Sequence, residues 1–500
     1  MAKKIYSGPS RTLMEYRLLP SLSDKKCTID EIKLRTPLVY SKKHKNKYFL
    51  NVPLVSAAMQ SVSGVKMAVE LTKLGGSSFI YCSQPIKEQT AMIKSVKSHK
   101  AGFVKPHTIS RDTLIEEVYK IRKEKGFSTF PVIDENKQLL GFLNKYDYDP
   151  SLHSHLRAEE RMSPLAKFKV GLNITDLKEA NSILMESHQH VLPIINSKKE
   201  LLYLVFRKDI QDHLNNPNQV VDENKRLLAV GAINTHDYRK RVKLLAEAGV
   251  DVLAIDSSDG YTVYQKETLD WIRKNYAHLP VIAGNVITAE GFKYLVKAGA
   301  AAVKVGMGGG SICITQEQKG TGRGLATSII EVAKARDKYF KKTDRYMPII
   351  ADGGIVTAKD IVIALALGAD YVMMGRYFAR MYESPTKKVV LNNRVMKPYW
   401  GEGSQRAQDW KKVRYNQGKF VEGIEGFVEY AGRLRNNIDE VLTKIKATMS
   451  TCGVNSIEEL HLKAELEIVS RLSIREGKPH DVYLPGEGTR RDYQAKEWGE

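Results

Sequence analysis

The fold is decided by four apolar runs that follow one another along the chain: VLAIDSS (252–258), PVIAGNV (280–286), AVKVGMGGG (302–310) and PIIADGG (348–354). Each run is nearly continuous in apolar residues, which is typical of a parallel strand covered on both faces. The segments between the runs have the helical spacing of apolar residues, as in GFKYLVKAGA from Gly291. This alternation of strand and helix predicts an α/β protein with a parallel sheet.

Four further runs extend the pattern in both directions: VPLVSA from Val52, SSFIY from Ser77, LLAVGA from Leu227 and YVMMG from Tyr371. Eight strands alternating with helices favour a TIM (β/α)8 barrel over an open sheet. The chain has 500 residues, more than one typical domain, so we expect either several domains or a large barrel with an insertion.

The alternation is interrupted once, between Tyr81 and Leu227, by far more chain than one crossover helix requires. Two similar units lie there, one starting at Thr113 and one at Asp176, and each has the pattern helix, strand, polar turn, strand. A duplicated unit in a barrel loop indicates an inserted domain, either a spacer or a nucleotide-sensing regulator. We therefore divide the chain into a barrel of residues 1–98 and 223–500, with a flap at about 386–430, and two modules at 99–163 and 164–222.

The composition narrows the class of protein. Lys and Arg number 78 and Asp and Glu 57, a net charge of +21 that indicates either anionic partners or solvated lysines on helix faces. No nucleic-acid-binding signature accompanies it, so nucleic acid is not required as a partner. The four cysteines are too scattered for a disulfide framework, and no apolar run has the length of a membrane span or signal peptide. These features predict a cytoplasmic protein with reduced thiols.

The predicted strands end in small or polar residues, which a TIM barrel gathers at its active-site face. The glycine turns at 306–310, 353–354 and 375 let backbone N–H groups approach an anion, and together they predict phosphate binding. Cys313 lies in a polar loop at this face, where a thiolate is reachable, and Thr315 can hydrogen-bond the same reacting centre.

A long polar stretch, KPYWGEGSQRAQDWKKVRYNQGKFVEGIEG (397–426), follows the last strand without any clear period. A segment of this length in a compact domain is usually a lid, unless it is disordered. From the residues alone, the Arg414–Tyr415 pair inside it serves either a catalytic role on closure or only the surface.

These motifs resemble the inosine-5′-monophosphate (IMP) dehydrogenase family: GGGSICIT around Cys313, ADGG at Ala351, MMGRYFA at Met373 and the YWGEGS…RY flap. The resemblance runs from Val52 to the EGKPHD segment at Glu476, and the internal repeat resembles a pair of CBS (Bateman) modules. It implies NAD-dependent oxidation of IMP to XMP with water, the first committed step to guanine nucleotides. In the family Cys313 forms a thioimidate, which Arg414 hydrolyses as base after flap closure, with Tyr415 and Thr315 assisting.

The resemblance also implies binding residues at matching positions of this chain. Those for the substrate are Met59, Ser311, Asp352, Gly353, Gly354, Gly375, Arg376, Tyr399, Gly401, Glu402, Gly403 and Glu422. Those for NAD are Asp256, Ser257, Ser258, Gly306, Met307, Gly308, His236 and Tyr264. Potassium is expected at the carbonyls of Gly308, Gly310 and Cys313, with Glu476, Gly477 and Lys478 of a neighbouring subunit. This sharing implies a homotetramer, and the modules imply regulatory purine nucleotides.

Three departures from the family pattern are visible. Leu325 stands where glutamine is common, Glu402 stands where many members have methionine, and Lys411–Val413 make the flap slightly longer.

Two other functions stay open. GMP reductase shares the barrel and the cysteine loop but lacks a hydrolytic Arg–Tyr flap, whereas a non-catalytic nucleotide sensor would leave Cys313 unused. If the insertion is separable, deleting residues 99–222 leaves the activity in place.

Overall fold

The computed structural model describes residues 2, 5–40, 48–99, 102–127, 129–407 and 421–479. Eight parallel strands form a closed barrel in which each strand pairs with the next along the chain and the last pairs with the first. These strands are β1 (Leu54–Ser56), β2 (Ser77–Ile80), β3 (Val230–Ile233), β4 (Val252–Ile255), β5 (Val281–Val286), β6 (Ala302–Val305), β7 (Ile349–Asp352) and β8 (Tyr371–Met374). The TIM barrel predicted from the eight apolar runs is confirmed.

One long helix follows each strand before the next strand begins, or, after β8, closes the ring. The helices are α1 (Val65–Lys73), α2 (Ile86–Lys97), α3 (Tyr238–Glu247), α4 (Val263–Asn275), α5 (Ala289–Ala298), α6 (Leu325–Thr343), α7 (Ala358–Ala366) and α8 (Leu434–Thr451). Helix α5 shows why the sequence folds this way. The Thr288 hydroxyl accepts from the N–H of Gly291 at the start, and Gly299 ends the helix at φ +106°.

Two four-stranded sheets form the insertion between α2 and β3. The first contains Ile109–Ser110, Thr129–Ile133, Leu139–Asn144 and Ser163–Pro164, and the second contains Phe103–Val104, Gly171–Leu172, Val191–Ile195 and Leu201–Phe206. Their helices are Ile115–Lys125, Pro150–His153, Ala158–Arg161, Leu177–Ser187 and Arg207–Asn215. The strand Phe103–Val104 precedes the first repeat but pairs with Leu201–Phe206, in the sheet of the second. A shared apolar cluster that includes Phe142 and Leu204 joins the two sheets.

The remaining elements lie outside the ring of barrel strands and helices, and one of them, Leu165–Lys167, belongs to the insertion. A three-stranded antiparallel sheet follows β8, and two small strand pairs lie near the chain ends. The strands are Val389–Leu391, Arg394–Trp400, Glu425–Glu429, Tyr16–Leu18, Leu466–Ile468, Thr36–Pro37 and Phe49–Leu50. The short helices are Leu13–Glu15, Leu165–Lys167, Thr315–Lys319, Arg376–Ala379, Gln405–Ala407, Ile457–Lys463 and Arg471–Glu476. None of the described helices has the length and apolar character required to cross a membrane.

A buried lysine connects the two ends of the insertion to the barrel. Lys97, the last residue of α2, places its Nζ 2.8 Å from Asp222, where the inserted chain returns, and 2.6 Å from Asp251, before β4. Burial alone would raise the pKa of Asp222, but Lys97, backbone hydrogen bonds and Arg226 outweigh burial and hold it below its usual value. The Asp251 carboxylate also accepts from the N–H of Ala229, which precedes β3.

Replacing this lysine tests the connection. We expect Lys97→Met to lower the free energy of unfolding by about 3–5 kcal/mol, because two buried carboxylates lose their shared cation. Urea denaturation measures the change. Lys94→Met, one turn earlier on the exposed side of α2, removes the same charge and is the matched control, with an expected effect within about 0.5 kcal/mol. Equal losses in the two variants would contradict a specific role for Lys97.

Candidate active site

The carboxyl ends of the barrel strands converge on one cleft, as the fold requires. Its walls combine the ends of β1 and β4–β8 with the loop after β6 and the segments on either side of residues 408–420. The lining residues are Ala57, Ala58, Met59, Asp256, Ser257, Ser258, Asn285, Lys304, Gly306, Met307, Gly308, Gly309, Gly310, Ile312, Cys313, Thr315, Asp352, Gly353, Met373, Gly375, Tyr399, Gly401, Glu402, Gly403, Glu422 and Gly423.

Most of the residues predicted for the site are among these, but several are not. Ser311, Gly354 and Arg376 are sequence neighbours of lining residues without lining the cleft themselves. His236 and Tyr264 are exposed and do not line the cleft, and Tyr264 has 63% of its surface exposed to solvent. Glu476, Gly477 and Lys478 are at the end of the helix Arg471–Glu476, and Arg414 and Tyr415 lie outside the described residues.

Two glycines are required by close approaches between strand ends. At Gly306, which has φ +134°, a Cβ would lie 2.0 Å from the carbonyl oxygen of Asp352, so any side chain would separate β6 from β7. At Gly375 a Cβ would lie 2.7 Å from the Tyr399 hydroxyl and 3.1 Å from the Met59 sulfur. These glycines therefore allow the strand ends, Tyr399 and Met59 to approach one another closely at the floor of the cleft.

The cysteine loop holds a line of polar side chains. The Cys313 Sγ lies 3.2 Å from the Thr315 Oγ1, and that hydroxyl donates to Glu422 Oε2 at 3.3 Å. Glu422 Oε1 in turn lies 2.7 Å from the Lys319 Nζ. Sulfur, hydroxyl, carboxylate and ammonium thus form a continuous chain, through which a thiol proton can reach a carboxylate.

Backbone pairing holds this line in place. The N–H of Ile314 donates to the carbonyl of Glu422, and the N–H of Ile424 donates to the carbonyl of Ile312. Cys313 and Gly423 are thereby paired as in an antiparallel bridge. The cysteine loop is consequently fixed to the segment that follows residues 408–420.

A second polar cluster occupies the opposite wall. The Asn285 amide donates to the carbonyl of Gly306 and to Asp352 Oδ2, both at 2.9 Å, and the Lys304 Nζ lies 3.9 Å from the same carboxylate oxygen. Asn285 is 8% exposed, and its Oδ1, which is buried, accepts no hydrogen bond from the protein. This oxygen is therefore available for a donor of a bound ligand.

Tyr399 and Glu402 are two further side chains that line the cleft. Tyr399 is 4% exposed. Burial, together with the negative charges of Asp352 and Cys313, raises its pKa far above the usual value and outweighs Arg376, so it stays a neutral donor. Glu402 accepts from the backbone N–H of Gln60 at 2.6 Å, and the Gln60 side chain accepts from the indole of Trp400. The turn 401–404 is thus attached to the loop after β1.

Sequence reasoning missed Asn285, Lys304 and Lys319. Asn285 is near the end of the PVIAGNV run, among the polar strand ends, but the sequence gives it no role in the site. Lys304 carried a usable signal, because it is a charge inside an otherwise apolar strand. Lys319 carried none, because nothing in the sequence indicates that it meets Glu422, a residue beyond two more barrel strands and inside the predicted flap.

Comparisons with known proteins decide the family. A family model described as IMP dehydrogenase / GMP reductase domain matches residues 10–480. The chain is 46% identical over 493 residues to the inosine-5′-monophosphate dehydrogenase of Tritrichomonas foetus, covering 96% of this chain and 98% of that protein. The chain belongs to the IMP dehydrogenase / GMP reductase family.

Further members agree with this placement. The inosine-5′-monophosphate dehydrogenase of Aquifex aeolicus is 36% identical over 88% of this chain and 90% of its own length. Among solved structures, a GMP reductase variant of Trypanosoma brucei, in complex with guanosine 5′-monophosphate, matches with a TM-score of 0.76 at 27% identity. That match covers 95% of this chain and 99% of the reductase.

One departure from the family pattern now has a structural account. Leu325, at the start of α6, is 8% exposed and belongs to the main apolar core. Its Cδ1 lies 3.1 Å from the position of a Cβ on Gly306. An apolar contact beneath the cleft therefore takes the place of the polar side chain that is common in the family.

The burial of the four thiols generates a prediction. Cys313 is partly exposed in the cleft, whereas Cys27, Cys82 and Cys452 are 5%, 2% and 3% exposed. We expect iodoacetamide to alkylate one thiol rapidly in the folded protein, because buried thiols are inert until the chain opens. Peptide mass mapping should locate the label at Cys313, and Cys313→Ala should remove the fast phase. Rapid labelling of another cysteine would contradict this assignment.

Proposed function

We propose that the protein is an IMP dehydrogenase that oxidises IMP to XMP with NAD and water, using Cys313 as the nucleophile. The observation that carries the proposal is the continuous line of Cys313, Thr315 and Glu422 in a cleft with glycine turns. The 46% identity to an inosine-5′-monophosphate dehydrogenase over nearly the whole chain supports the same activity.

The part of the cleft around the ends of β1, β7 and β8 suits the ribose, the phosphate and the base of a nucleotide. Asp352 offers a carboxylate to ribose hydroxyls, while the turns at 353–354 and 375 and the start of the helix Arg376–Ala379 offer backbone N–H groups to the phosphate. Met59, which contacts the Gly375 and Tyr399 region, offers an adaptable apolar surface to the purine. We assign the turn 401–403 and Glu422 to the edge of the base.

The wall around β4 to β6 suits the dinucleotide. Asp256, Ser257 and Ser258 line it with Gly306 to Gly308, and the unbonded Oδ1 of Asn285 lies in the same wall. An acceptor oxygen of this kind fits a carboxamide N–H, so the residues present fit NAD. We assign Asp256 to a ribose hydroxyl and Asn285 to the nicotinamide side. His236 and Tyr264, exposed near this end of the barrel, stay candidates for the adenine.

Chemistry begins at the thiol. Thr315 can accept the proton of Cys313 while its own hydroxyl proton passes to Glu422, which leaves a thiolate. The sulfur forms a bond to C2 of the purine while the C2–N3 double bond opens and its electron pair moves to the nitrogen. The carbon becomes tetrahedral and can release a hydride, because the C–N double bond re-forms as the hydride leaves. Bound NAD supplies the hydride acceptor. The resulting thioimidate links Cys313 to the purine.

Hydrolysis completes the reaction. Water adds to C2 of the thioimidate, the carbon–sulfur bond breaks, and XMP leaves with the oxygen of the water. We propose Arg414, assisted by Tyr415 and Thr315, as the group that activates the water. This assignment rests on the resemblance of the flap motif, since Arg414 and Tyr415 lie outside the described residues.

Cation binding and assembly are proposed on the same basis. The carbonyls of Gly308, Gly310 and Cys313 supply oxygen donors from one short loop, a donor type that suits potassium. The Gly310 carbonyl also accepts from the N–H of Cys313, so a cation there would order the nucleophile's loop. Glu476, Gly477 and Lys478 of a neighbouring subunit would complete the site in a homotetramer. We place the enzyme in the cytoplasm because its four cysteines, all within the described residues, form no disulfide with one another.

GMP reductase is the second candidate, favoured by the structural match to the trypanosomal enzyme. The predicted Arg414–Tyr415 flap and the higher identity to dehydrogenases favour the first. A sensor without catalysis would have no use for the line from Cys313 to Glu422. Purine nucleotides remain the proposed ligands of the inserted modules.

Absorbance at 340 nm distinguishes the two enzymes. With IMP, NAD and potassium we expect a rise and the formation of XMP, whereas GMP with NADPH should give no change. Cys313→Ala should lower turnover by at least about a thousandfold, because no other thiol is placed to form the covalent bond. A fall with GMP and NADPH, and silence with IMP, would show a reductase instead.

The insertion should be dispensable for chemistry, because none of the lining residues of the cleft belongs to it. We expect that replacing residues 102–215 with a short glycine–serine linker keeps kcat within about threefold. Retaining 216–222 preserves the Lys97–Asp222 ion pair, which deletion of residues 99–222 would remove. The assay above measures kcat, and circular dichroism checks the fold. Complete loss of turnover in a folded variant would contradict the prediction.

A further inference from the structure

A lysine is buried in the strand that leads into the cleft. Lys397 is 1% exposed and lies in the middle of the strand Arg394–Trp400, opposite Val428. Its Nζ donates to the carbonyl oxygen of Met381 at 2.5 Å and to that of Ser384 at 3.1 Å. An ammonium at this depth has lost most of its hydration, so the two carbonyls take the place of the water that would otherwise solvate it.

The acceptors of this ammonium are backbone atoms and not a carboxylate. Burial lowers the pKa of Lys397 to about 8, Glu383 opposes this shift, and Lys388 adds to it. The Glu383 carboxylate itself accepts from the N–H of Leu434 at the start of α8. At neutral pH Lys397 is therefore still mostly charged, and what it connects is one stretch of backbone to another.

The two carbonyls belong to the segment that follows the last barrel strand. Gly375, which lines the cleft, comes directly after β8 and precedes the helix Arg376–Ala379. The turn after that helix is compact, because the N–H of Ser384 donates to the carbonyl of Met381 and the Ser384 hydroxyl donates to the last residue of the helix. Lys397 is therefore attached to a short, internally bonded segment that begins at the Gly375 turn.

The strand that carries Lys397 also carries Tyr399. Side chains two positions apart in a strand point to the same face, and these two are both buried, Tyr399 with 4% exposure. The Tyr399 hydroxyl lies 2.7 Å from the position of a Cβ on Gly375. The lysine thus joins the strand of Tyr399 to the segment of Gly375, on which that hydroxyl closes.

We propose that Lys397 is a positioning residue that holds the Tyr399 hydroxyl against the Gly375 turn, so that the two together bind a purine nucleoside monophosphate. Lys397 is not among the residues that line the cleft, so it acts through the strand and not on the ligand. The presence of a nucleotide at this place rests on the proposed function, whereas the link between strand and turn rests on the contacts themselves.

The first test is Lys397→Met, which removes the ammonium and keeps an unbranched side chain. We expect the KM for IMP to rise about tenfold, because a small displacement of a group that contacts the ligand weakens ground state and transition state alike. The KM for NAD and kcat at saturating IMP should stay within about threefold, because the wall around β4 to β6 is formed by other segments. The assay at 340 nm measures all three quantities.

Two further variants separate positioning from general damage. Lys387→Met removes the same charge from an exposed lysine just before the strand, and should leave every constant within about twofold. Lys397→Gln keeps an N–H donor on a side chain one bond shorter, and carries the test if Lys397→Met does not fold, with an expected rise in the KM for IMP of about threefold. An unchanged KM for IMP, or equal rises in both KM values with a fall in kcat, would overturn the proposal.

A double variant shows whether the lysine acts through Tyr399. In the Tyr399→Phe background, Lys397→Met should raise the KM for IMP by less than about twofold, because the hydroxyl that it positions is gone. The full tenfold rise in both backgrounds would mean that the lysine acts by another route, and the proposal would be wrong.

Protection of Cys313 from iodoacetamide by a nucleotide gives a readout that needs no turnover. The rate of alkylation without nucleotide should be the same in Lys397→Met and the unmodified protein, whereas the IMP concentration that halves this rate should rise about tenfold in the variant. An unchanged concentration would overturn the proposal even where XMP is formed. If the unmodified protein forms no XMP and GMP protects the thiol, the proposed function fails, and the same comparison with GMP decides the role of Lys397. Protection by neither nucleotide would overturn both.

Discussion

The pairing of β8 with β1 closes the barrel, and the site depends on that closure. Met373 is in register with Val55 and Met374 with Ser56, so the last strand ends beside the first. Met59 and Gly375 consequently become neighbours, although they come from opposite ends of the barrel sequence. In an open sheet these two strands would be the farthest edges, and the wall that holds Met59, Gly375 and Tyr399 would not exist.

Closure alone does not place Cys313, the proposed nucleophile, which lies in a loop beyond β6. The loop is fixed by short antiparallel pairing with residues that return after 408–420, through Ile312 to Ile424 and Ile314 to Glu422. The side-chain line from Cys313 to Lys319 runs across the same junction. Glu422, a residue of the returning segment, thereby contacts the hydroxyl that lies beside the thiol, and the loop and the segment are held in one arrangement.

The sequence predicted the barrel well because its information is local. Each strand is a buried apolar run and each helix has a regular period, so neither required knowledge of distant residues. The cysteine loop was also predicted, from residue types and the resemblance. The features that sequence reasoning missed depend on strand register and on side chains that contact residues of distant segments. Three such features join segments that are far apart in the chain. They are the hydrogen bond from Asn285 to Asp352, the contact of Lys319 with Glu422, and the pairing of Phe103–Val104 with the second sheet of the insertion.

The distribution of charge explains why glycine dominates the floor of the cleft. The protein has a net charge of +21, yet the acidic and basic residues lining the cleft are Asp256, Asp352, Glu402 and Glu422 with Lys304. A cleft with this excess of carboxylates would repel a phosphorylated ligand if side chains alone bound it. Backbone N–H groups at glycine turns and at a helix start bind a phosphate without adding a side-chain charge, and Gly375 admits no side chain beside Tyr399. For the nucleotide proposed above, the carboxylates then remain available for hydroxyls and protons, while the net positive charge of the chain favours the approach of an anion.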